Sequence, residues 1–375
     1  MAERPPVSIA EHFAELSDPR RREGVYPLIN VVVIAICAVI CGCDDFVSIA
    51  EFGRTKRGLL ERFLDLSAGI PSHDRFNAIF AMIKPAEFEK CLVSWITALH
   101  DITKGQVIAI DGKTLRRSFD AASSKAAIHM VSAWATKNHI SLGQVVVDDK
   151  SNEITAIPKL LEIIEISGSL VTIDAMGCQV EIAQAIVDQE ADYVLAVKGN
   201  QPTLHEGIQA HFAEHAEDDF ARVPVTRHET HEKAHGRDET RVYYVCPVPE
   251  ELPDRERWPE LTAIGMTVNS VIRDGKNNCE VRFYILSKKL SARRFAEAVR
   301  GHWGIENCLH WQLDVTFGED QSRIRKGHAD ANFSALRRSA LALLKNNKTK
   351  KVGVKNKRIL AACDDNYMLE VLLGT

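Results

Sequence analysis

Two short stretches constrain this chain more than any other. VIAID (107–111) and LVTID (170–174) are each a run of β-prone apolar residues ending in one aspartate that small residues follow. Such runs, bounded by turn formers, read as buried strands. A carboxylate at the C-terminal end of a sheet strand is held by rigid backbone at a mouth where ligands bind. One such aspartate is ordinary, as a turn or helix cap. Two on neighbouring strands repel each other unless a cation sits between them. Hard ions such as Mg²⁺ take one or two carboxylates plus substrate phosphates, and paired ions activate water and stabilise the leaving oxygen in phosphodiester chemistry. A third acid is expected from a helix packed on the sheet edge. Glu306, in HWGIENCLHW, is the first choice because His310 and Asp314 follow it on one helical face; Asp314, Glu319 and Asp320 compete with it.

The rest of the chain frames these strands. Residues 1–100 carry apolar positions at helical spacing and predict an all-α N-terminal domain, with Ser72 or Asp74 capping a helix that begins near Arg75. Strand candidates follow at 107–110, 127–135 and 142–148, then a helix at 154–166, LVTID, a helix at 178–189 and a strand at 193–197. Three strands followed by helix–strand–helix–strand give an α/β fold with a mixed sheet whose second half is parallel. Residues 202–290 read as a β-rich insertion, 291–315 as a helix, 318–328 as a loop and 330–346 as a helix. The expected domains are 1–100, 101–345 and a basic C-terminal tail, 346–375, reached through the lysine-rich stretch 345–358.

Composition narrows the function classes. A net charge of −4 gives no global bias toward nucleic acid, so any DNA-binding surface must come from local clusters. Nine scattered cysteines, with no CxxC pair, suit reduced thiols in a cytoplasmic protein. The apolar run 28–43 contains Asn30 and falls short of the roughly 20 residues a spanning helix needs, so it reads as a buried helix. The first residues have no signal-peptide layout. DGKT (111–114) is not a phosphate-binding loop, because Val107 stands where that motif needs glycine. HETHEKAH (228–235) lacks the order of a zinc site and reads as a solvated or DNA-facing surface. Trp303 and Trp311 read first as core, with stacking on an unpaired base as the other reading.

IAIDGKTLRRS, KSNEITAIPKLLE, VTIDAMGCQ, YVLAVKGNQ and HWGIENCLHWQLDVTFGED resemble, in that order, the DDE transposases of bacterial insertion sequences, in the branch that includes the H-repeat-associated proteins. DPRRREGVYPL, ICAVICGCDDF and GIPSHDRF resemble the helical domain that accompanies the catalytic one. The resemblance implies a ribonuclease-H-like fold with a β-rich insertion, and a catalytic, metal-holding triad of Asp111, Asp174 and Glu306. Two Mg²⁺ ions are implied, with Mn²⁺ as a substitute and no small-molecule cofactor; Asp111 bridges the two ions. Related transposases carry a Tyr–Arg–Glu–Lys signature around the third acid. Here those flanking positions are Val299, His302 and Leu313, and Arg300 is the residue expected to take over phosphate contact.

The implied activity is metal-dependent cleavage of DNA at the element's terminal repeats and transfer of the freed 3′ end into target DNA. A homodimer is expected, since two ends must be brought together, and no membrane partner. Candidate DNA contacts are Lys113, Arg116, Arg117, Lys198, Asn200, Arg300, His302, Trp303, Arg323, Arg325 and Lys326, with the 345–358 stretch beside them. Two rivals stand next to this reading: a degenerate copy that binds DNA without cutting it, and a stand-alone metal-dependent nuclease.

Overall fold

A computed structural model describes residues 8–21, 24–100, 105–119, 127–147, 152–234, 236–273 and 276–374. His235 of the histidine-rich stretch, and Asp148 at the end of the third strand candidate, lie outside the described residues. Helices α1 (Ile9–His12), α2 (Leu28–Ile40), α3 (Phe46–Thr55), α4 (Arg57–Leu60), α5 (His73–Met82) and α6 (Pro85–Leu99) come first. Next are β1 (Val107–Thr114), β2 (His129–Ala135), β3 (Ile140–Val147), α7 (Glu153–Ile163), β4 (Leu170–Ile173), α8 (Val180–Asp188) and β5 (Asp192–Val197). Then α9 (Pro202–Ala216) leads into β6 (Thr226–Ala234), β7 (Arg237–Pro247), β8 (Ala263–Arg273) and β9 (Lys276–Leu286). Last come α10 (Ala292–Gly304), a π-helical stretch (Ile305–His310), α11 (Trp311–Phe317), α12 (Ala329–Asn346), α13 (Val354–Cys363) and α14 (Asp365–Leu373). The fold is mixed α/β, and its strand pairings are mostly antiparallel.

The chain divides into two compact units. A helical unit comprises Met1–Thr103, Gly112–Ser151 and Glu306–Thr375, and a sheet unit comprises Lys104–Asp111 and Asn152–Ile305. In the helical unit the hub is α12, buried without interruption from Ala329 to Leu344 and packed by α2, α5, α6, α11, α13, α14 and β3. α2 is apolar on every side, so burial all round is the only stable place for it; Val31 to Ile40 are all buried. Among the described residues no helix is long and apolar enough to cross a membrane. Tilted and edge-on rings of Phe46, Phe80, Phe88 and Phe333 tie α3, α5, α6 and α12 together, each pair adding about 0.5–1.5 kcal/mol to its area burial. Ser72 caps α5 as expected, its hydroxyl accepting from the Arg75 amide at 3.3 Å.

The C-terminal segment corrects the reading of a basic tail. It forms α13 and α14, and two of its cations point inward. Lys357 Nζ donates to the carbonyls of Leu344 and Asn347 at 2.8 and 2.6 Å, closing the end of α12. Arg358 donates to the Val39 carbonyl at the end of α2 and to the Asp44 carboxylate. Terminal carbonyls of helices need such donors when they are buried.

In the sheet unit the strand order is β1-β4-β5-β9-β8-β7-β6. β1, β4 and β5 run parallel; β9 pairs antiparallel with β5, and β8, β7 and β6 follow as a meander. The β-rich insertion is thus an extension of the sheet, with one difference from expectation. Residues 202–216 are a helix, not strand, because Leu204, Ile208 and Phe212 recur four apart and Pro202 starts its first turn. α10 packs on β4, β6 and β7, with Phe295 seated against Tyr243 and Tyr284. The single helix expected over 291–315 is interrupted by the π-helical stretch, a feature that marks functional sites in other helices.

Candidate active site

Asp111 and Asp174 each follow the last paired residue of two neighbouring parallel strands. The register pairs Val107 with Leu170 and continues to Ile110 with Ile173, so the next residue on each chain is the aspartate. Neighbouring strands lie about 4.8 Å apart, which leaves the two carboxylates side by side unless their rotamers diverge. Asp111 is half-buried within β1; Asp174 is exposed, just past β4.

The turn that carries Asp174 is tightly specified. Its Oδ1 accepts from the amides of Met176 and Gly177 at 3.1 and 3.4 Å. Gly177 cannot be larger, since a Cβ there would stand 2.3 Å from Ile173 Cγ2. Asn200 Nδ2 donates to the Ala175 carbonyl at 2.6 Å and Gln201 Nε2 to the Cys178 carbonyl at 3.0 Å, so the loop after β5 braces this turn. Asn200, expected as a DNA contact, holds the turn that carries Asp174; Lys198 beside it is exposed. Burial, and then the charge of Asp174, push the Cys178 thiol up and keep it protonated.

α10 presents the next group. His302 Nδ1 lies 3.2 Å from Thr172 Oγ1, two residues before Asp174. Burial lowers the His302 pKa while the Asp174 charge opposes that shift, so the ring is largely neutral near pH 7. As placed, His302 anchors α10 to β4 rather than facing solvent. Trp303 and Trp311 are both exposed, which corrects their reading as core. The guanidinium of Arg282 lies 4.3 Å over the Trp303 ring, the geometry of a cation–π pair. Arg300 pairs with Glu232 at 2.8 Å.

Glu306 is exposed in the π-helical stretch of the helical unit. The acids that compete with it each face a cation in the same unit. Lys113 Nζ is 2.5 Å from Asp314 Oδ1 and 2.9 Å from Glu319 Oε2, and Arg116 pairs with Asp320 at 3.4 Å. Lys113 is itself buried, which corrects its reading as a phosphate contact: its charge neutralises two acids. Glu319 also accepts from Ser334 Oγ at 2.6 Å. Burial alone would raise its pKa, but Arg338, Lys113 and Arg337 outweigh burial and hold it at about 2. His310, beside this cluster, is pushed down to about 3 by burial and by Arg338 and Lys113.

The remaining basic candidates gather around the loop after α11. Arg116, Arg117, Arg323 and Lys326 are exposed. Arg325 Nε donates to the Arg117 carbonyl at 3.0 Å, and its guanidinium lies 5.2 Å over the Phe119 ring. Within 345–358, Lys348, Lys350, Lys351 and Lys355 remain exposed. Among the described residues, no group of three or more His, Cys, Asp or Glu side chains is arranged to hold a metal ion.

Comparison with known proteins fits this arrangement. Residues 102–344 match the family described as Transposase DDE domain, and residues 10–96 match DDE_Tnp_1-associated. The chain belongs to the DDE transposase family. It is 40% identical to the "H repeat-associated putative transposase YhhI" of Escherichia coli K12, over 98% of each chain. It is 41% identical to "Putative transposase YncI" of Escherichia coli O157:H7, over 97% of this chain and 94% of that one. A solved structure titled as the piggyBac transposase synaptic complex with hairpin DNA aligns at 10% identity. That alignment spans 97% of this chain and 77% of that one, with a TM-score of 0.41, too loose a likeness to argue from.

Proposed function

We propose that this DDE transposase cuts DNA at the ends of its element and joins the freed 3′ ends to target DNA. Asp111, Asp174 and Glu306 are its catalytic acids. The observation that carries this reading is the register that sets Asp111 beside Asp174 at the mouth of the parallel strands. A ribonuclease-H-like fold is supported by the parallel β1–β4–β5 order and by the antiparallel β2–β3 pair that lies between β1 and β4 in the sequence.

The donor set suits Mg²⁺ or Mn²⁺. Two carboxylates plus substrate phosphate oxygens are what a hard divalent ion takes. Glu306 is assigned as the third acid by its family motif, and the engagement of Asp314, Glu319 and Asp320 with Lys113 and Arg116 supports that choice. Bound divalent ions would supply the activation of water and the stabilisation of the departing oxygen.

The chain's own residues do the positioning. The Gly177 turn, held by Asn200 and Gln201, fixes where the Asp174 carboxylate points. His302, neutral and held on Thr172, fixes the end of α10 one helical turn before Glu306. The exposed cations Arg117, Lys198, Arg323 and Lys326 offer charge to DNA phosphates. A protein working this way acts on cytoplasmic double-stranded DNA, and as a homodimer, since it must hold both element ends.

The test pairs the wild type with Asp111→Asn on a plasmid carrying the gene and its flanking DNA, in Mg²⁺ or Mn²⁺. Joined products from the wild type alone support the proposal. A wild type that binds its flanks, is folded and yields no product would instead favour the degenerate copy; cut but never joined DNA would favour a nuclease.

A further inference from the structure

The helical unit holds an open groove of about 1040 Å³ whose two walls come from distant parts of the sequence. One wall is the loop after α11, carrying Arg323, Arg325 and Lys326. The other is the beginning of α3 and of α5, with Asp45, Val47, His73 and Asn77. The walls are tied to each other rather than merely adjacent. The His328 amide donates to the Ala81 carbonyl at 3.0 Å, and Asn332 Nδ2 donates to the carbonyls of Phe80 and Ile83 at 2.8 and 2.9 Å. Gly327 permits the approach: its φ is +53°, and a Cβ there would stand 2.4 Å from the Ala81 carbonyl oxygen.

The charge of the groove is positive after its acids are accounted for. Asp44, at its edge, is paired with Arg358 at 2.7 Å, and Asp45 is engaged with the Ser48 amide at 2.8 Å as the cap of α3. Arg323 and Lys326, both exposed, therefore face one carboxylate, that of Asp45, and exposed Arg117 extends the positive surface through the contact between its carbonyl and Arg325. The N-termini of α3 and α5 add partial positive charge along the opposite wall. A preformed cleft with cations on one side and helix starts on the other matches a polyanionic backbone, which binds by neutralisation of successive phosphates.

We infer that this groove takes one sugar–phosphate strand of duplex DNA, and that the N-terminal helices, residues 28–99, form half of that DNA-binding surface. The inference rests on the proposed reading of the chain as a DNA-cutting transposase, and it assigns a role to the segment that the associated-domain match leaves without one.

The test is fluorescence anisotropy of the full chain on a labelled 30-base-pair duplex across a salt series. Arg323→Ala/Lys326→Ala should flatten the slope of log Kd against log salt by about 1.8, since each phosphate contact contributes about 0.9. On the opposite wall, Val47→Glu and Asn77→Asp should each weaken binding about tenfold through repulsion of the backbone. Val47 is 56% exposed, so its variant should keep the wild-type melting temperature, and that melt is recorded for all variants. Arg293→Ala, an exposed cation of the sheet unit, is the control and should leave the slope unchanged. A wild type that fails to bind the duplex overturns the transposase reading together with the groove. Binding whose slope and affinity survive all groove variants overturns the groove alone. Loss confined to Arg323 and Lys326, with Val47→Glu and Asn77→Asp unaffected, removes the N-terminal wall and so overturns the inference.

Discussion

Two clusters of acids in this protein look alike in sequence and differ in every physical respect. Asp111 and Asp174 end parallel strands at an open mouth, with Asp174 exposed. Asp314 and Glu319 close on Lys113, and Glu319 is fully enclosed with Arg338 and Ser334. The first pair sets two acids at strand ends that solvent reaches. The second cancels its charge inside the helical unit. An acid at an open strand end is a candidate for chemistry; an acid enclosed with its cation is a structural element.

Asp174→Asn should separate the two clusters most sharply. The amide oxygen still accepts from Met176 and Gly177, so stability should stay within about 0.5 kcal/mol of the wild type. Strand joining should fall about a thousandfold, equivalent to roughly 4 kcal/mol of transition-state charge stabilisation. Measured together, a melt and a joining assay decide it. A variant that unfolds early while its folded fraction still joins DNA would place Asp174 with the structural acids.

Lys113→Met should show the opposite profile. It leaves Glu319 buried with less compensation, at a cost of about 3 kcal/mol, and the folded fraction should keep its joining rate. Denaturant unfolding gives the first number, and the double variant Lys113→Met/Glu319→Gln should be less destabilised than the sum of its singles by about 0.5–3 kcal/mol. Loss of joining in fully folded Lys113→Met would break the comparison, because it would bring the buried cluster into the reaction.

How much of this was legible follows from where each residue finds its partner. The strand-end aspartates could be read because a strand, a turn and an acid are all local features, and the β4–α8 turn at Gly177 is specified within a few residues. Helix α9 was equally readable from Leu204, Ile208 and Phe212, and was obscured only by the acidic residues around them. The role of Lys113 was not readable, since its partners lie some two hundred residues away. The burial of α12 was hidden for the same reason. Its Asp330, Asn332, Arg337 and Arg338 mimic a solvated face, yet each is buried. The inward turn of Lys357 and Arg358 depends on the carbonyl ends of α12 and α2, which no charge count reveals.

A smaller effect sharpens the contrast between buried acids that have a cation and those that lack a sufficient one. Glu89, on α6, is enclosed like Glu319, but burial dominates there and Arg338 and Gln144 offset it only in part, so its pKa is pushed up to about 8. Folded protein keeps this proton up to that pH, whereas the unfolded chain releases it near 4.5. The folded state therefore binds more protons across that window, and the stability contributed by Glu89 is present below about pH 4.5 and lost as pH rises toward 8. Glu319 runs the other way, with stability present above pH 4.5 and lost as pH falls toward 2. Glu89→Gln, which cannot ionise, should raise the melting temperature at pH 8 by about 2–4 °C relative to the wild type and change it little at pH 5. Equal shifts at both pH values would mean that Glu89 is already ionised in the folded protein, and that Arg338 serves both glutamates at once.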